Sequence, residues 1–401
     1  MLFFVGQGVE IEMRTCSILD IGSSKAVCMI VAPDPDGAMI IRGTGVREYA
    51  GFRLGELPRK RELYDALMAA VEEAEQSAGV KIKEITVGVP SPFMEVVGTH
   101  GAVRIDTKNG RIESEDVDYL IESSLKDQTP EGYSLIHSTA VSYFADKTPV
   151  TGSPVGLPCS VLSANVSHCF VDDEYKRVVG AVLKKLGIEI ESFVSTSLAA
   201  ACFTVPGDVR ANSVFLVDCG GSFTDISLLS GNAIISTDSI PVGGRHFTSD
   251  LCFGLKVPRD IAEDLKRRYV FSLDYGDTYE RVRIPGEGIF DVEHSFIQLI
   301  IESRAEELCD ILADKLDGMA DRRVPVWLVG SGLASMRGAA EFIEKRLGRN
   351  VSVTLPKVSR NGSMGFVSAF GLADFALYRL GKLSAVRRTE RYLRSVFDWR
   401  S

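Results

Sequence analysis

Two short turns of small residues, 198 positions apart, hold the residues best suited to chemistry: Asp20-x-Gly22-x-Ser24 and Asp218-x-Gly220-x-Ser222. Each follows an apolar run (16–19, 214–217) and precedes another (26–31, 226–229), which reads as strand, tight turn, strand. A turn built from Gly22, Ser23 and Ser24, or from Gly220, Gly221 and Ser222, points several backbone N–H groups into a concavity that suits phosphate oxygens. Lys25 adds charge beside the first turn, and Thr224 follows the second as a further binding candidate. Asp20 and Asp218, candidate catalytic residues, cannot ligate phosphate directly. They can hold Mg²⁺ through its waters or orient an attacking water. A third turn, Gly330-Ser331-Gly332, follows a buried-strand pattern at 325–329 and is expected to open a helix to residue 347. Singly, each turn suits an ordinary connection; together they fit a metal-bound nucleoside triphosphate.

The elements that must position these turns follow from periodicity. Apolar runs at 16–19, 26–31 and 38–46 form an antiparallel meander, and 63–78 has amphipathic helical spacing stopped by Gly79. Residues 85–89 read as a strand. Between 91 and 171 the pattern becomes that of a small α+β unit with a short helix around 115–125, and a helix over 172–186 returns the chain to the body. The meander then recurs from residue 214, which suggests two related halves. Helices are expected at 260–268, 294–316 and 363–380. The fold class is α/β, with a first lobe over 13–90 and 172–212 joined by 363–381, an insert at 91–171 and a second lobe at 213–362. Residues 1–12 are expected to be a disordered extension without secretory features, and 382–401 a basic C-terminal helix.

Composition limits the function classes. Hydrophobic residues make up 45 % and charged residues 25 % of 401, the usage of a globular protein large enough for two or three compact units. No run approaches the roughly 18 apolar residues of a membrane-spanning helix. The eight cysteines lie at least ten positions apart, and the five histidines lack ligand spacing, which argues for reduced thiols in the cytoplasm and against a zinc site. A net charge of −9 disfavours nucleic acid as a partner.

Asp20-Ile-Gly-Ser-Ser-Lys25, Asp218-Cys-Gly-Gly-Ser-Phe-Thr-Asp225 and Leu328-Val-Gly-Ser-Gly-Leu333 resemble the two phosphate motifs and the adenosine motif of the actin-like ATPase superfamily. Pro154-Val-Gly-Leu157, Gly243-Gly-Arg-His-Phe-Thr-Ser-Asp250 and Ala262-Glu-Asp-Leu-Lys266 are similar to the FtsA family within it. The resemblance spans about 16–381. It implies an actin-like (ribonuclease-H-like), duplicated two-lobed fold with an FtsA-type inserted subdomain, with ATP and Mg²⁺ as cofactors and Glu263 and Lys266 facing the adenosine. It also implies self-association into filaments and FtsZ as a partner. Ser222, Phe223 and Ser331 depart from the family's usual glycine, threonine and glycine, adding side chains that narrow the cleft. Residues 194–201 offer only hydroxyls where efficient hydrolases place an acid or amide, so hydrolysis is expected to be slow or absent.

Residues 382–401 carry six basic and two acidic side chains. On a helix, Leu383, Val386, Leu393, Val396 and Phe397 form one stripe, and Arg387, Arg388, Arg391 and Arg394 lie opposite. A basic amphipathic helix of this kind lies in an anionic membrane interface, and FtsA has a similar terminal helix. The leading expectation is therefore an adaptor that tethers FtsZ filaments to the cytoplasmic face of the membrane at the bacterial division site. The alternatives are a cytosolic pilus-assembly scaffold of the PilM type and a sugar or acid kinase using Asp225 as base.

Overall fold

The computed structural model describes residues 15–33, 39–52, 56–106, 109–286, 288–354 and 364–386; burial is described through residue 380. The leading residues 1–12 and most of the basic segment therefore lie outside the described residues.

The first lobe begins with β1 (Cys16–Ile21), β2 (Lys25–Pro33) and β3 (Met39–Glu48), followed by α1 (Lys60–Ala78) and β4 (Glu84–Val89). An inserted unit comprises β5 (Met94–Arg104), α2 (Ser114–Leu125), β6 (Tyr133–Ala145), β7 (Thr148–Val150) and β8 (Val161–Asp172). The chain returns through α3 (Asp173–Lys185), β9 (Glu189–Ser195), α4 (Thr196–Thr204) and α5 (Gly207–Ala211). The second lobe holds β10 (Val214–Cys219), β11 (Thr224–Ser230), β12 (Ala233–Ile240), α6 (Gly244–Leu255), α7 (Arg259–Arg268), β13 (Tyr279–Ile284) and β14 (Gly288–Glu293). It continues with α8 (His294–Met319), β15 (Val326–Val329), α9 (Ala339–Leu347) and β16 (Val351–Val353), and α10 (Val367–Val386) crosses back to the first lobe.

The two halves share one topology. The first sheet has order β3-β2-β1-β4-β9 and the second β12-β11-β10-β15-β16. In each, an antiparallel meander is extended by two strands parallel to its first strand. Asp20 and Asp218 occupy equivalent places, near the ends of β1 and β10, so the 198-residue repeat is structural as well as sequential. The inserted sheet, β5-β8-β6-β7, is separate and rests on β12, where the Ser167 hydroxyl donates to the Ile234 carbonyl.

The local signals are physical. Asp172 caps α3 by accepting from the Tyr175 N–H at 2.7 Å, with acids in its first turn and lysines in its last to match the helix dipole. Ser195 caps α4 in the same way, so the hydroxyl-rich stretch at 194–201 is a helix start. Two expectations fail. The helix after Gly332 begins only at Ala339. Residues between them form turns pinned by a bridge from Arg337 to Val270, and Gly338 takes a left-handed φ of 75°. The last helix also runs to Val386, so it does not break at 381/382.

α10 packs against α4 and beneath β1, and it approaches α4 backbone to backbone. A Cβ on Gly371 would lie 2.3 Å from the Ala199 carbonyl oxygen. Gly371→Ala is therefore expected to lower stability by roughly 1–3 kcal/mol, the usual cost of overpacking. Urea unfolding checks this, and an unchanged midpoint would mean the two helices are not so closely seated.

Candidate functional site

The two turns face each other across the junction of the lobes. In the first, the Gly22 N–H donates to the Lys25 carbonyl at 2.9 Å, and the Tyr49 hydroxyl donates to the Gly22 carbonyl at 2.8 Å. In the second, the Gly220 N–H donates to the Phe223 carbonyl at 3.0 Å. The second turn's carbonyls are held from outside. Cys219 accepts from the Gly332 N–H, Gly220 from that of Gly244, and Gly221 from that of Arg245, all within 2.8–2.9 Å. The first two N–H groups of α6, which a helix cannot satisfy internally, thus end on this turn.

Beneath the turns, Asp20 and Asp218 flank Lys25. Burial first, and then the neighbouring Asp218, push the Asp20 carboxyl up to about 7; Lys25 opposes the rise. Burial pushes Asp218 up to about 6, against the Ser368 hydroxyl, which donates to it at 3.3 Å, and against Lys25. Burial in turn depresses Lys25, whose Nζ stands 4.0 Å from the Phe366 ring centroid. The carboxylates and the lysine share a cavity of about 90 Å³ bounded also by Gly220, Ser331 and Ser368.

The candidates named from sequence do not all reach this cavity. Gly22, Ser23, Ser24, Lys25, Gly220, Gly221, Gly330 and Ser331 line it, with Asp20 and Asp218. Ser222 adjoins it through Ser23, its N–H donating to the Ser23 hydroxyl oxygen at 3.1 Å. Thr224 instead turns into its own lobe and donates to the Val242 carbonyl at 2.7 Å. Gly332 is tucked against the Cys219 carbonyl. Glu263 and Lys266 sit together and do not line the cavity. The Lys266 ammonium is buried and donates to the Gly244 carbonyl, the Thr248 hydroxyl and Glu263, which uses its three N–H bonds. The hydroxyls at 194–201 are also committed: Thr196 to the Val89 carbonyl and Ser197 to Ser91. Phe52, Arg245 and Ser368 were not anticipated as site residues, because their positions depend on which segments the fold brings together.

Does the expected nucleotide fit this arrangement? Clefts that enclose ligands of that size measure roughly 300–1,000 Å³, whereas this cavity is about 90 Å³ and the turns above it are hydrogen-bonded to each other. The space enclosed between the closed turns is smaller than that range. A wider, shallow hollow of about 710 Å³ lies on the inserted unit beside Arg104, Asp146 and Cys159. It assembles no chemistry: burial, then Asp146 and Asp116, raise the Cys159 thiol away from a reactive thiolate.

Two matched sheets joined turn to turn, with a carboxylate at the end of each first strand, define a protein of the actin-like class. Solved structures of that fold superpose over nearly the whole chain. A PilM–PilN type IV pilus biogenesis complex gives a TM-score of 0.62 at 15 % identity, covering 90 % of this chain and 98 % of that one. MreB5 of Spiroplasma citri bound to ADP gives 0.55 at 12 %, covering 95 % and 100 %. These likenesses are of fold. The family model described as "Cell division protein FtsA" matches residues 215–371, and that of the SHS2 domain inserted in FtsA matches 94–169, together more than half the chain. The cell division protein FtsA of Pseudomonas aeruginosa is 26 % identical over 345 residues, 84 % of this chain and 82 % of its own length. The chain belongs to the FtsA family of cell-division proteins.

The raised carboxyl values make the cleft pH-sensitive. Because the native state holds the Asp20 proton more tightly than the unfolded chain, its contribution to stability is complete below the unfolded value of 3.8 and lost as pH rises through about 7. Asp20→Asn is expected to raise the unfolding temperature more at pH 8 than at pH 5. Scanning calorimetry at both values checks this, and an equal shift would mean Asp20 titrates normally.

Proposed function

We propose that this chain is an FtsA-type adaptor, which assembles with copies of itself and links FtsZ filaments to the cytoplasmic face of the membrane at the division site. The observation that carries the reading is the paired match: the body and the inserted subdomain both belong to the FtsA pattern. The membrane contact is assigned to 382–401. Of the stripe named from sequence, Leu383 and Val386 fall in the last turns of α10, whereas Arg387, Arg388, Arg391, Leu393, Arg394, Val396 and Phe397 lie outside the described residues. Among the described residues no helix is long and apolar enough to cross a membrane, so attachment rests on an interfacial segment.

ATP with Mg²⁺ is the ligand the fold class suggests, with Asp20 and Asp218 as the acids beside it. In this reading it enters only when the lobes part.

Co-sedimentation with phosphatidylglycerol-containing vesicles tests the adaptor reading, using the full chain and a version ending at Val386 with purified FtsZ present. The full chain is expected to pellet and carry FtsZ with it, and the shortened one to lose at least about tenfold of the vesicle-bound fraction, since each basic residue near an anionic surface is worth about 1 kcal/mol. Equal behaviour of the two versions would remove the tail from the mechanism.

A further inference from the structure

We propose that this chain closes its cleft with its own groups, and that Arg245 is the strap that holds the two lobes together without a nucleotide. Its main-chain N–H holds the Gly221 carbonyl of the second turn at 2.8 Å. Its guanidinium crosses to the first lobe, where one terminal nitrogen donates to the carbonyls of Ala50 at 2.9 Å and Ser23 at 3.3 Å. The other donates to those of Tyr49 at 3.0 Å and Ser24 at 3.4 Å. One residue therefore grips both turns. The planar fork of an arginine can span four backbone carbonyls in this way, and a lysine ammonium cannot reproduce it.

The carbonyls are presented by a fold-back that only glycine permits. Gly51 has a φ of 76°, and a Cβ there would lie 1.6 Å from the Ser23 carbonyl oxygen. Three further contacts close the same seam. Ser222 binds Ser23 through its N–H and its hydroxyl. The Phe223 ring lies 5.2 Å from that of Phe52, both of them buried. Ser331 reaches Gly365, where an added Cβ would stand 3.2 Å from the Ser331 Cβ. Each joins the second lobe to the first, and Ser222, Phe223 and Ser331 are the positions read from the sequence as replacing the glycine, threonine and glycine of the family's motifs.

Admitting a triphosphate means breaking the strap and the turn-to-turn bond first. The apparent affinity is then the intrinsic one divided by the fraction of molecules that are open. Freeing the strap raises that fraction, by roughly tenfold or more if it contributes as much as one hydrogen bond to a charged group.

The test uses the full chain, with Mg·ATP as titrant in calorimetry and amide hydrogen exchange as a second measurement. The wild type is expected to show no binding up to about 1 mM, at which bound free energy is only about 4 kcal/mol, and Arg245→Ala to bind at least about tenfold more tightly. Without nucleotide, residues 20–25 and 219–224 of the wild type are expected to exchange slowly, and faster in Arg245→Ala. Micromolar binding by the wild type, or an Arg245→Ala variant that neither gains affinity nor exchanges faster, overturns the proposal. If that variant does not fold, wild-type exchange decides: turns that exchange freely until Mg·ATP is added overturn it, and turns protected without nucleotide support it. None of these readouts involves vesicles or FtsZ, so failure here and failure of the adaptor reading are separable.

Discussion

The structure depends on how closely two turns can approach. Backbone meets backbone around the second turn, which faces the first across the junction, and the glycines there have no room for a side chain. A Cβ on Gly243 would lie 2.8 Å from the Gly220 carbonyl oxygen, one on Gly332 2.7 Å from the same atom, and one on Gly221 2.7 Å from the Ser24 Cβ. Given that approach, the rest follows. The Ser23 hydroxyl reaches the Ser222 N–H, the second turn's carbonyls take up the first amides of α6, and two carboxylates are enclosed beneath. The core is continuous across this junction, since Val214, Leu216 and Phe223 of the second lobe pack in one cluster with Phe52, Leu198 and Val367.

Much of this was legible in the sequence because its signals are local. Small residues after an apolar run mark a strand end and a turn, and their recurrence at a fixed offset marked the duplication. The acid-capped helix after the insert carried its boundaries in Asp172 and its terminal lysines. What failed was non-local. Leu333 and Met336 have helical spacing, but a hydrogen bond between them closes only a turn, and a bridge from Arg337 to Val270 keeps the next residues extended until Gly338. Glu263 and Lys266, which the resemblance places at the adenosine, are also held to Thr248 and Gly244 by the packing of α7 on α6, a partnership residue type alone does not reveal. Arg245 was unreadable because its partners lie about two hundred residues earlier and are backbone atoms, which leave no trace in residue type.

The electrostatics of the junction reinforce its geometry. Burial makes both carboxyls hold their protons more tightly than free carboxyls, Asp20 further through the charge of Asp218, and Lys25, itself depressed by burial, does not fully offset this. A closed cleft and protonated acids therefore stabilise each other. Opening the lobes would rehydrate the carboxyls, return them toward ordinary values and release protons.

A body with this internal seam has a different source of control from one whose lobes close around a ligand. A ligand shifts a conformational equilibrium only by its differential affinity for the two states. When the chain's own arginine and serines supply closure, the surfaces on either lobe already hold one relative orientation, and little remains for a nucleotide to add. In the adaptor proposed above, assembly would then answer mainly to local concentration, which a membrane surface raises without any conformational change. Residues 382–401 of that adaptor, rather than the cleft, would then set when copies of the chain meet.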